Sequence, residues 1–181
     1  GRKKELKLVV ECKRKASSSL VTISGRRRIG KSRLVSELGS LHNKNFQYYA
    51  FSAMPPNKNT SAQDERDEFM LQFSQQFDFP RMKLDDWTSI FQLLAKTIEN
   101  KNVVILFDEI SWMGSKDFNF LGKLKNAWDL YFKQNEGLML ILCGSVSAWI
   151  EDNIINSTAF LGRLSLTLRL GALSLEECNE F

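Results

Sequence analysis

The eight residues Gly25-Arg26-Arg27-Arg28-Ile29-Gly30-Lys31-Ser32 fit the pattern G-x-x-x-x-G-K-[ST], and few backbones can carry it. Leu20 to Ser24, a short β-branched run just before it, reads as a buried strand. Leu34, Val35, Leu38 and Leu41 after it recur at helical spacing. Strand, glycine-bounded loop and helix form an anion cradle. Glycine admits φ values closed to other residues. The loop N–H groups then turn inward toward phosphate, and the helix beginning near Lys31 offers the positive end of its dipole. Lys31 is expected to neutralise charge on the β- and γ-phosphates, and the Ser32 hydroxyl to ligate Mg²⁺. Gly25, Arg26, Arg27, Arg28, Ile29, Gly30, Lys31, Ser32 and Arg33 are thus the candidates for nucleotide binding.

The rest of the chain alternates in the same manner. Phe46 to Phe51 reads as a second strand, and Met54 to Gln63, with Pro55-Pro56, as an exposed loop. Phe69, Phe73 and Phe77 share one helical face; Trp87, Ile90, Phe91, Leu94 and Ile98 share another. Val103 to Phe107 and Leu138 to Cys143 are wholly apolar, as strands in the middle of a parallel sheet are. Leu121, Leu124, Trp128 and Tyr131 mark a helix, and Leu164 to Leu170 alternates as a final strand. Ser174 with Glu177 signals a last helix start. The expected fold is α/β, with a parallel sheet covered by helices on both faces. Its ligand should lie beyond the carboxyl ends of the strands.

Asp108-Glu109 directly follows the apolar run Val103 to Phe107. An acidic turn after a strand is common by itself. After a phosphate loop it reads as a Walker B element. Asp108 would hold Mg²⁺ opposite Ser32, and Glu109 would orient and polarise an attacking water. Ser145 follows Leu138 to Cys143 and Gly144; it reads as a group that holds the lytic water or senses phosphate, as an N-cap for the helix through Trp149, or as both. Arg163 is either an arginine finger or a structural arginine paired with a surface carboxylate. Arg26, Arg27 and Arg28 either add charge near phosphate or are solvated loop residues, and the second reading is preferred. Trp112, Trp128 and Trp149 read as core or interface residues, Cys143 as core packing, and His42 as a helix-end residue.

Composition narrows the class. The chain has 181 residues, of which 43% are hydrophobic, enough for one globular domain over residues 1–181. It shows no apolar run of membrane-spanning length and no apolar leader, so a cytoplasmic protein without a membrane partner is expected. Three scattered cysteines and one histidine argue against a disulfide framework or a structural zinc site. Residues 1–33 hold twelve Lys or Arg against two acidic residues, whereas the remainder hold thirteen against nineteen. The basic head calls for an anionic partner. Nucleotide phosphate is the partner the motifs specify, and DNA is the weaker one. The sequence lacks an initiator Met and places a helix start close to Phe181, so the native chain is expected to continue.

Five segments together resemble the prokaryotic AAA+-type ATPases called archaeal ATPases, which are related to the STAND signalling NTPases. They are Gly1 to Leu6, Gly25 to Ser32, Val103 to Met113, Leu142 to Trp149 and Leu161 to Glu177. The resemblance implies a five-stranded sheet in the order 5-1-4-3-2 with ATP at its carboxyl edge. It further implies that Arg2, Glu5 and Leu6 lie near the adenine end, that Ser145 is a sensor position, and that Arg163 is the family's Gly-Arg arginine. A helical lid and further domains would follow. The implied activity is Mg²⁺-dependent ATP hydrolysis by a regulatory domain, with Lys31, Glu109, Ser145 and Arg163 in catalysis; a homo-oligomer is one candidate assembly, and the sequence does not reveal the oligomeric state. Two other readings stand beside it: a DNA-associated switch with little hydrolysis, and a small-substrate kinase. Glu109, directly after Asp108, disfavours the kinase.

Overall fold

The computed structural model describes residues 2–41 and 45–172. His42, Ser174, Glu177 and Cys178 lie outside them. In chain order the elements are α1 (Lys3–Arg14), β1 (Ser19–Gly25), α2 (Lys31–Leu41), β2 (Gln47–Ser52), α3 (Ala62–Phe77), α4 (Trp87–Thr97), β3 (Val103–Asp108), α5 (Ile110–Met113), α6 (Phe120–Leu130), β4 (Leu138–Gly144), α7 (Ser147–Ile150) and β5 (Leu166–Leu170). The five strands form one sheet in the order β2-β3-β4-β1-β5, the order the resemblance implied. All four pairings are parallel.

Strand parity divides the core in two. On β3, Val103, Ile105 and Phe107 face one side, and Val104 and Leu106 the other. The first side is covered by α3, α4 and α6 and is rich in aromatics. Phe51 stacks on Phe69 at 4.2 Å between ring centroids, and Phe69 meets Phe107 and Trp87 edge-on at 5.5 Å each. Such pairs contribute about 0.5–1.5 kcal/mol each beyond burial. The second side is covered by α1 and α2 and is aliphatic: Val9, Leu34, Val35 and Leu38 pack on Val21, Ile23, Met139 and Ile141. Both faces of β1, β3 and β4 are therefore dry, which is why β3 and β4 are apolar without alternation, while β1 buries Ser19, Thr22 and Ser24 among its apolar residues.

Local chemistry sets the boundaries. Ser61 starts α3 with a reciprocal cap: Asp64 N–H donates to its hydroxyl at 3.2 Å, and its own N–H donates to the Asp64 carboxylate at 2.7 Å. The last strand begins at Leu166 rather than Leu164. Ser165 explains the difference, because its side-chain Oγ, not a backbone carbonyl, accepts the Leu20 N–H at 3.2 Å. Helix α1 has no counterpart in the sequence reading. It is stapled at both ends, by Arg2, which the resemblance placed near the adenine end, and by Lys13, counted earlier only as charge. Arg2, 8% exposed, donates to Glu5 at 3.0 Å, to the Ile29 carbonyl at 3.1 Å and to the Gly171 carbonyl. Lys13 donates to Asn102 Oδ1 and, at 2.7 Å, to the Gly137 carbonyl. Burial lowers its ammonium pKa to about 8. Among the described residues no helix is long and apolar enough to cross a membrane.

Glu65 on α3 is 2% exposed, accepts the Met54 N–H at 3.3 Å and keeps Oε1 buried without a partner. Burial, reinforced by Glu68 and Asp64 and opposed by the Met54 bond, raises its pKa to about 7 from 4.5. The unfolded chain releases this proton near pH 4.5, whereas the folded chain holds it to about 7. Glu65 therefore contributes full stability below pH 4.5, and that contribution is lost as pH rises through about 7, by up to about 3 kcal/mol. Urea unfolding of wild type and Glu65→Gln at pH 5 and pH 8 should show the wild type losing more stability across the interval. Equal losses would remove this assignment.

Candidate functional site

The loop between β1 and α2 closes against the sheet because Gly25 has no side chain. A Cβ there would lie 2.8 Å from the Leu170 carbonyl oxygen and 3.1 Å from Ile29 Cγ2. Gly30, at φ +94°, turns the chain into α2 through a conformation that other residues avoid. Arg28 takes a left-handed φ of 62° without being glycine. Lys31, 6% exposed, folds its ammonium back over the loop and donates to the carbonyls of Gly25 and Arg26 at 2.8 Å each. The lysine thus braces the backbone turn whose N–H groups would face an anion. Arg2 adds a second brace through the Ile29 carbonyl.

Asp108 ends β3 on the same sheet face as α2. The Ser32 hydroxyl donates to its Oδ2 at 3.1 Å across 76 residues of chain. Asp108 Oδ1 accepts the Glu109 N–H at 3.0 Å, helping to hold the turn in which Glu109 has φ 53° and ψ 51°. The thiol of Cys143, wholly buried on the neighbouring strand, also interacts with the Asp108 carboxylate. Burial first, then the Asp108 charge, raises the Cys143 pKa. Cys143 is therefore core packing that also touches the acidic pair. Tyr48 has its pKa raised to about 12, chiefly by burial and next by the Asp108 charge.

Glu109 is fixed by Ser145. Its Oε2 accepts both the Ser145 hydroxyl at 2.8 Å and the Ser145 N–H at 3.2 Å. The N-cap of α7 is Val146, without a side-chain cap bond, so the serine's hydroxyl serves the carboxylate rather than the helix. Lys31, Ser32, Glu109, Arg27, Arg28, Gly30 and Arg33 line one cleft of about 870 Å³, together with Pro55 and Trp112. Arg27 lies over the Trp112 ring at 4.9 Å, a cation–π contact from the loop to the helix after the acidic pair. Trp112 and Pro55 were not read as cleft residues from sequence. The usable signal for Trp112 was its position three residues past Glu109, one turn beyond the strand end.

Arg163 lies elsewhere. Its Nε and Nη2 donate to the two carboxylate oxygens of Asp129 at 2.8 Å each, and Lys125 approaches the same carboxylate at 3.2 Å. These partners hold Asp129 far below the usual carboxylate range. Arg163 is not among the residues lining the cleft.

Donor chemistry fits a hard divalent ion. An alcohol oxygen and a carboxylate oxygen converge within 3.1 Å, beside a buried lysine and a turn of backbone amides. Sheet order, loop and acidic strand end together define a P-loop NTPase α/β domain. The chain belongs to a family of ATPase domains predominantly from Archaea, which it matches over residues 1–181. An uncharacterized protein of Methanocaldococcus jannaschii is 24% identical over 180 residues, covering 99% of this chain and 37% of the relative. Solved structures that share the fold include the following three. A Walker-type ATPase of Pyrococcus abyssi has TM-score 0.62, 16% identity and coverage of 99% of this chain and 56% of its own. The Aeropyrum pernix ORC2 protein, solved as ADPNP-ADP complexes, has TM-score 0.65, 15% identity and coverage of 97% and 49%. Cdc6p of Pyrobaculum aerophilum has TM-score 0.68, 12% identity and coverage of 99% and 47%. The chain thus spans about a third to just over half of the length of these proteins.

Proposed function

We propose that this domain binds ATP with Mg²⁺ at the Gly25–Ser32 loop and hydrolyses the terminal phosphate as a regulatory switch. The observation that carries the reading is the 3.1 Å contact between Ser32 and Asp108, beside Lys31 and the Ser145-held Glu109. Ser32 and Asp108 would hold the ion, which when bound would screen charge on the β- and γ-phosphates. Lys31 supplies a fixed ammonium beside the turn of loop amides, so the phosphates meet positive charge in a preorganised frame. Glu109 acts as base. Among the described residues its Oε1 has no hydrogen-bond partner, while Ser145 anchors Oε2. A water held at Oε1 gives up its proton to the carboxylate as its oxygen bonds to the γ-phosphorus, and the bond to the bridging β–γ oxygen breaks. The choice of adenine rests on membership of the ATPase family.

Calorimetry decides the reading. Titration with ATP in excess Mg²⁺ is expected to give saturable one-site binding, weakened at least tenfold in EDTA. A folded sample with no affinity for ATP under either condition overturns the proposal.

A further inference from the structure

Strand β2 is an edge of the sheet, with β3 on one side only. The N–H of Gln47 and of Ala53 bond inward to Asn102 and Asp108 carbonyls, so Ala50 and Ser52 present their backbone groups outward. Bare edges of this kind invite another strand. Here the edge is covered by side chains. Gln76 accepts the Ala50 N–H at 3.0 Å and donates to the Ala50 carbonyl at 2.8 Å. Gln72 accepts the Ser52 N–H at 2.8 Å and donates to the Ser52 carbonyl at 2.8 Å.

Each primary amide thus makes the two bonds that one residue of an antiparallel neighbour would make. The spacing matches as well. Four residues of helix rise about 6 Å, and two residues of strand rise about 6.6 Å. Residues 72 and 76 run opposite to 52 and 50, as an antiparallel strand would. Gln72 is further oriented by its amide bond to Glu68 Oε1 at 2.7 Å.

We infer that Gln72 and Gln76 form a side-chain imitation of a β-strand that closes the β2 edge, and that the partner they exclude is the same edge of a second copy of this chain. The covered segment, Gln47-Tyr48-Tyr49-Ala50-Phe51-Ser52, holds three aromatics, no charge and no proline. That composition favours pairing with itself. An edge meeting its own copy antiparallel across a two-fold axis is self-complementary.

The test is the mass of Gln72→Ala/Gln76→Ala across a concentration series by light scattering, against wild type and the exposed-face control Gln75→Ala. The double variant is expected to self-associate at a concentration at least tenfold below wild type, and the control to match wild type. Adding Ala50→Pro to the double variant removes the edge N–H without touching the β3 ladder, and should restore the wild-type curve. A folded double variant with the wild-type mass curve overturns the inference, as does association that persists with the proline. Should the double variant fail to fold, amide exchange of wild type decides. Ala50 and Ser52 N–H must be protected to within tenfold of the inward-bonded Phe51; fast exchange at both overturns the cover itself.

Discussion

Lys31→Ala is expected to weaken ATP binding by about 30- to 1,000-fold, the largest affinity loss of any single substitution in the cleft. The ammonium is buried and already engaged with the Gly25 and Arg26 carbonyls. Its removal takes away a charge-assisted contact to phosphate, on the order of 2–4 kcal/mol. It also leaves two carbonyls of the turn without their donor, so the loop loses part of its frame. Lys31→Met keeps the apolar stem and separates the two effects. It should lose nearly as much affinity while melting within a few degrees of wild type. Calorimetric titration with Mg·ATP and a thermal melt on each variant provide the check. Binding by Lys31→Met within threefold of wild type would put the phosphates somewhere other than this loop.

Glu109→Gln is expected to cut turnover by about 10²- to 10³-fold with little change in affinity. The amide oxygen of glutamine can still accept both bonds from Ser145, so the side chain stays in place. What disappears is the capacity to take a proton from water. Single-turnover phosphate release at saturating Mg·ATP separates this step from binding. Equal rates for wild type and variant would remove Glu109 from the chemistry and shift attention to a base outside the chain.

The two central strands announced themselves because both faces of β3 and β4 are dry and their residues carry no alternation. The Gly25–Ser32 loop and the Asp108-Glu109 pair could be located from sequence because each lies directly at the end of a buried strand. Contacts made across long loops were not legible. Nothing local in Ser145 says that it will meet Glu109, 36 residues earlier. Helix α1 went unread because its apolar residues, Leu6, Val9 and Cys12, are interleaved with lysines that dominate the composition. Two of its cations proved to be inward staples, Arg2 on the Gly25–Ser32 loop and Lys13 on the start of β4. The glutamines of α3 looked like an ordinary solvent face, since an amide that imitates a strand differs from one facing water only through its tertiary partner.

Glu109 sits in left-handed backbone, with φ 53°, where a side chain costs roughly 1 kcal/mol or more relative to glycine. Conformational ease and chemistry therefore pull in opposite directions at one residue. Glycine at this position would relieve that cost and would remove the carboxylate that Ser145 holds. The two bonds from Ser145 to its carboxylate help to hold a turn that the backbone alone would leave.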